Sequence, residues 1–98
     1  MEIKLDDKFE INFNSILEYI AQDKISASKK FRQDLFNQIK NLPNSPYKFR
    51  KSIYFNNDNI RDMIFRGYTI VYEIDLNNNQ IILLNIFNKN KPTNEDQI

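Results

Sequence analysis

The chain has 98 residues, of which 41% are apolar and thirteen are aromatic, with one glycine and a formal net charge of +1. This length suits one domain burying roughly 65% of its unfolded surface, and the absence of cysteine and histidine excludes disulfides, thiolate zinc sites, thiol nucleophiles and the usual general base. No apolar run approaches the roughly 20 residues of a membrane span, and the first residues lack a signal-peptide pattern, which predicts a cytoplasmic protein with no membrane partner.

Charge is unevenly distributed. Residues 24–51 carry eight basic side chains against Asp34, whereas residues 1–23 carry six acids against Lys4 and Lys8. A locally basic middle favours an anionic partner, nucleic acid or an acidic protein, or else forms a solvated helix face.

In chain order, residues 2–6 alternate, with Ile3 and Leu5 on one side, as a short half-buried strand does. Phe9, Phe13, Ile16, Leu17 and Ile20 then recur at helical spacing, predicting an amphipathic helix over residues 7–22 with Asp6 or Asp7 as its N-cap. A second helix fits residues 26–42. Ser26 can cap it, Ala27, Phe31, Leu35, Ile39 and Leu42 form its stripe, and Pro43 stops it. Phe36 and Tyr19 lie off these stripes, either packing on each other or left exposed to a partner.

After the turn-rich PNSP at residues 43–46, residues 47–55 (YKFRKSIYF) and 60–65 (IRDMIF) suit strands. The first interleaves aromatic and basic residues, as a base-stacking, phosphate-holding ribbon does. Its strict alternation is nevertheless what a half-buried strand produces by itself, with Tyr47, Phe49, Ile53 and Phe55 inward and Lys48 and Arg50 outward, and this is the favoured expectation. Beyond Gly67, Tyr68, Ile70, Tyr72, Ile74 and Leu76 share one face, leaving Thr69, Val71, Glu73 and Asp75 on a mostly wet one. Arg66-Gly67 and residues 77–79 supply hairpin turns. Residues 80–88 are apolar on both faces, which places them centrally in the sheet or under a partner. The carboxylates Asp6, Asp7, Asp58 and Asp62 show no metal-ligand spacing and read as caps and turns. No linker divides the chain: a single domain spans residues 1–92, followed by a polar tail at 93–98. The order is β-α-α-β-β-β, an α+β fold in which an antiparallel sheet carries a helical hairpin on one face.

The residues Ile16, Tyr19-Ile20, Asp23, Ala27, Phe31, Leu35, Ile39 and Leu42-Pro43, then Ile60-Arg61, Gly67-Tyr68, Ile70, Tyr72, Ile74 and the run Ile81 to Ile86, together resemble the RelE/ParE superfamily of toxins from bacterial toxin-antitoxin pairs. The resemblance covers about residues 3–92 and implies the same β-α-α-β-β-β fold. It also implies one of two activities: RelE-like members cut messenger RNA on the ribosome with a basic cluster, and ParE-like members bind DNA gyrase. Arg61, six residues before Gly67, stands where ParE-like sequences carry an arginine, while the nuclease register gives Ile64. Residues 85–92 (NIFNKNKP) hold neither the arginine nor the tyrosine of the nucleases, and Phe87 stands about where many ParE-like chains have a histidine.

RNA cleavage needs a base, an acid and cations for the developing charge. A nuclease built from this chain would use Arg50, Lys51, Arg61, Arg66, Lys89 and Lys91, with Tyr54 or Tyr68 as a weak acid. No side chain is an obvious base, since lysine and tyrosine titrate near 10 and would have to do so roughly two to three pH units lower. The expectation is therefore a ParE-like toxin that binds gyrase and is neutralised by a small acidic antitoxin, without cofactor or metal. Arg61, Arg66, Lys89 and Lys91 are the candidate target contacts, and Lys29, Arg32, Phe36 and Lys40 the candidate antitoxin contacts. The alternatives are a RelE-like ribosome-dependent endoribonuclease, with ribosome and messenger RNA as partners, and a degenerate member that only binds.

Overall fold

The computed structural model describes residues 1–88; Lys89, Lys91 and the 93–98 tail lie outside the described residues. Strand β1 (Glu2–Leu5) leads into helices α1 (Asp7–Asp23) and α2 (Ile25–Ile39), followed by β2 (Arg50–Lys51), β3 (Ile60–Phe65), β4 (Tyr68–Asp75) and β5 (Gln80–Asn88). The α+β class and the strand-hairpin-sheet succession are found, with four strands after the helices where β-α-α-β-β-β has three, the first of the four being the two-residue β2. The five strands lie in the order β1-β5-β4-β3-β2. One feature departs from the expected antiparallel sheet: β1 runs parallel to β5, so the sheet is mixed. Side-chain alternation reports which face of a strand is buried, not the direction of its neighbour. The helical crossover after β1 makes a parallel pairing possible.

Asp6 caps α1 as expected, its carboxylate accepting from the Lys8 amide at 3.0 Å. Asp7 and Glu10 in the first turn favour the positive end of the helix dipole. Lys24 alone, in extended conformation, separates the two helices. Ser26 therefore lies inside α2 rather than capping it, and it is Ser28, buried and donating from its hydroxyl to Leu17 O at 2.7 Å, that ties the hairpin together. Ala27, expected in the stripe, is exposed. Helix α2 ends at Ile39, and Leu42–Asn44 form a 3-10 turn around Pro43.

The main core lies between the hairpin and one face of the sheet. It joins Phe9, Phe13, Phe31, Leu35, Ile39 and Leu42 to Met63, Phe65, Ile70, Tyr72, Ile74, Ile81, Leu83 and Ile86. Leu76 is exposed in the turn beyond β4. The Arg66-Gly67 turn has φ of 49° and 84°, the left-handed pair that two-residue hairpins favour. Asn79 (φ 51°) serves the next turn, where Asn78 and Gln80 donate to Asp75 and hold its carboxyl below the usual carboxylate range.

The opposite face is not wet. Thr69 and Val71 are fully buried, and Ile60, Val71 and Phe87 form a second cluster with Phe55 and Leu84. The cover comes from residues 52–55, which leave the sheet and cross that face. Tyr54 meets the Phe87 ring edge-on at 5.2 Å between centroids. In β5 a bulge sets Tyr72 opposite Leu83 but Val71 opposite Asn85, leaving Leu84 without a partner. The register slips by one there, which is why the run reads as apolar on both faces.

Candidate functional site

Residues 45–59, from the 3-10 turn to β3, form the one long irregular stretch in the described chain, interrupted only by the two-residue β2. The full strand expected over residues 47–55 does not form. After Lys51 the Ser52 amide donates to Ile60 O at 2.8 Å and the Ile53 amide turns to the Asp62 carboxylate at 3.1 Å. A side-chain acceptor there takes the place of the next rung of the ladder. Phe49 and Phe55 are half-buried in opposite clusters, while Tyr47 and Ile53 are exposed, Ile53 at 68%.

Arg61 is the most heavily engaged of the sequence-predicted cations among the described residues. Its Nε donates to Asp58 O at 2.9 Å and its Nη1 to Phe49 O at 3.1 Å. Its guanidinium lies 4.9 Å from the centre of the Tyr47 ring, and the Tyr47 hydroxyl donates to Asn59 Oδ1 at 2.6 Å. A planar fork reaching two carbonyls while stacking on a ring is geometry that arginine supplies and lysine does not. Beneath it, the fully buried Tyr72 donates from its hydroxyl to Pro46 O at 2.6 Å, and burial pushes its pKa to about 12.

Asp62 serves the other face of β3. It is 1% exposed, and its Oδ2 accepts from the Ile53 amide and from Arg50 Nη2 at 3.4 Å. Sequence pattern alone reads Asp62 as a turn or cap residue. The signal that it does something else is a carboxylate in mid-strand, inside the run IRDMIF, a setting from which aspartate is depleted. The same pattern puts Ile53 and Tyr54 in a strand rather than at the tip of an excursion.

The remaining basic candidates do not converge. Lys51 pairs with Asp58 at 3.0 Å. Arg66 sits about 17 Å along the strand from Arg61, over the Phe65 ring at 4.8 Å and paired with Asp34 of α2 at 2.6 Å. That guanidinium, and then Lys30 at 3.3 Å, hold the Asp34 carboxyl below its usual range. Burial raises the pKa of Tyr68, a candidate acid. Lys89 and Lys91 lie outside the described residues. Among the described residues no cluster of acids is placed to hold a metal ion, and no helix is long and apolar enough to cross a membrane.

On the hairpin, Lys29, Arg32 and Lys40 are exposed. Phe36 packs on Phe13, ring centroids 5.4 Å apart, beneath the Arg32 guanidinium at 5.7 Å. Tyr19 stays 66% exposed and does not serve as its partner. An open groove of about 180 Å³ runs beside Phe36, lined by Leu5, Phe9, Glu10, Phe13, Asn14 and Arg32. Because β1 is an outer strand of the sheet, the groove adjoins a strand edge that has no neighbour within the described chain.

No curated protein matches this chain in sequence. Among solved structures, the fold is similar to one described as "Chromosomal ParDE TA system from P. aeruginosa", with a TM-score of 0.72 and 18% identity over 90% of this chain and 95% of that one. A family model described as "ParE toxin of type II toxin-antitoxin system, parDE" matches residues 3–91. With that span covering nearly the whole domain, the chain belongs to the ParE toxin family of type II toxin-antitoxin systems.

Proposed function

We propose that the chain arrests growth by binding DNA gyrase and is held inactive in the cytoplasm by a small acidic antitoxin. Family membership supports a toxin role. The observation that favours binding over RNA cleavage is the state of the cations. Arg50, Lys51 and Arg66 are each paired with a carboxylate, and Arg61 is spent on backbone carbonyls. A phosphodiesterase needs such groups free to meet developing phosphorane charge, with a base beside them.

The deciding experiment is induced expression without antitoxin, with transcript ends mapped and plasmid supercoiling followed in parallel. Intact transcripts with lost supercoiling are expected. Codon-spaced cuts would replace the reading with a ribosome-dependent nuclease, and unimpaired growth would leave a degenerate family member that only binds.

For the antitoxin, the Phe36 groove and the β1 edge fit an amphipathic or extended segment, with Arg32 meeting a carboxylate. Lys29 and Lys40 add long-range attraction that raises association rate more than affinity. Arg32→Glu removes a cation beside an aromatic and introduces repulsion, so antitoxin affinity measured by calorimetry should fall about tenfold or more. Unchanged affinity would place the antitoxin elsewhere.

A further inference from the structure

Adjacent residues in an extended strand point to opposite faces, and β3 uses this at Arg61 and Asp62. Arg61 fastens residues 47–58 from the helix side, through Phe49 O, Asp58 O and the Tyr47 ring. Asp62 fastens them from the open side, through the Ile53 amide and Arg50. Ser52 N to Ile60 O closes the base between the two, and Tyr54 N to Ser52 Oγ holds the bend that follows.

The product of this fastening is an apolar tip. Ile53 is 68% exposed and Tyr54 37%, and Ile64, two residues beyond Asp62 on the same strand face, is 39% exposed. Structural economy alone would bury an isoleucine and leave such a loop loosely held. Here charged and backbone bonds on both faces of a strand hold one out in water, which is how rigid scaffolds present contact loops.

We infer that residues 47–58 are the surface with which the toxin meets its target, and that Arg61 and Asp62 are positioning residues that shape this surface without touching the target. The inference rests on the binding reading above. The partner it fits is a protein offering an apolar recess with carboxylates at its rim. Asp62 and Asp58 pair Arg50 and Lys51, so the positive charge beside the aliphatic tip that meets no carboxylate among the described residues is that of Lys48, over the Phe49 ring. A nucleic acid fits less well, because isoleucine offers no stacking face, the Tyr54 and Tyr47 rings are engaged by Phe87 and Arg61, and the cations Arg50 and Lys51 already face Asp62 and Asp58.

The test pairs growth arrest by the full chain, expressed without antitoxin, with amide hydrogen exchange on the purified toxin. Ile53→Asp should reduce arrest at least tenfold while exchange across residues 47–58 stays as in the wild type. Arg61→Ala should raise exchange in that segment about ten- to a hundredfold, leave β4 and β5 protected, and also reduce arrest. Arg61→Lys should restore both in part, since an ammonium reaches one carbonyl but not two. Ile11→Asp, at an exposed site on α1, should change neither.

If Arg61→Ala abolishes arrest with the segment still protected, Arg61 touches the target itself and the positioning role is overturned. Full arrest with a loosened segment, or with Ile53→Asp, removes the segment from the target contact. Binding to the isolated target that falls steeply with salt and survives Ile53→Asp would assign the surface to nucleic acid. A wild type that arrests growth without affecting supercoiling refutes gyrase as the target but not the positioning claim, which the exchange data decide separately.

Discussion

Replacing Phe13 by alanine is expected to cost about 3–5 kcal/mol of folding free energy, the range for deleting a buried phenylalanine that its surroundings cannot refill. Phe13 is 5% exposed and meets three other rings: Phe9 at 5.5 Å, Phe36 at 5.4 Å and Phe31 at 6.5 Å between centroids. It therefore joins α1 to α2 and underlies the Phe36 groove at once. Domains of this size are stable by roughly 5–15 kcal/mol, so the loss should lower the denaturant midpoint by a large fraction. Phe13→Leu keeps much of the volume and should recover over half of it. A denaturant midpoint for Phe13→Ala within experimental error of the wild type would mean that α1 and α2 are not joined through this ring.

Tyr72 should make the protein sensitive to alkali. Its side chain is fully buried, its hydroxyl donates to Pro46 O, and its pKa is raised from 10.0 to about 12. Burial is the main cause, opposed by the Arg61 charge and reinforced by Asp62. Because the folded-state value lies above the unfolded one, the contribution is fully present below pH 10 and is lost as pH rises from about 10 to about 12. A rise of that size is worth roughly 3 kcal/mol at the upper limit. Tyr72→Phe should flatten the stability profile in that window. At neutral pH it should cost about 1–3 kcal/mol, the usual penalty for leaving the Pro46 carbonyl without its donor. Equal alkaline slopes for Tyr72→Phe and wild type, read from denaturant titrations between about pH 8 and pH 11, would refute the assignment.

The same two residues mark where sequence reading stops. Tyr72 is legible as a core position, since it alternates with Ile70 and Ile74 along β4. Its bond to Pro46 is not, because it joins positions 26 residues apart. Phe13 is legible through its spacing from Phe9, Ile16 and Leu17. Its contact with Phe36 depends on how α2 returns along α1, which a single extended residue, Lys24, determines. Asp62 is misread because a lone carboxylate in a strand matches turn statistics as well as it matches a buried acceptor. Only the pairing of β2 with β3 and the turn of residues 52–55 across the open face supply the Arg50 and the Ile53 amide that such an acceptor needs.

By itself, the sequence determined the succession of one strand, two helices and a sheet, the helix faces turned inward, the Arg66-Gly67 turn and the family, because period 3.6, period 2 and a left-handed glycine are local properties written into neighbouring residues. The tertiary structure alone decided that β1 runs parallel to β5, that Leu84 forms a bulge and that the chain leaves the sheet after the two-residue β2, in a segment fastened by Arg61 and Asp62. Each of those depends on which backbone groups meet across long stretches of chain, and a hydrogen bond between distant peptides leaves no periodic trace in the residues that make it.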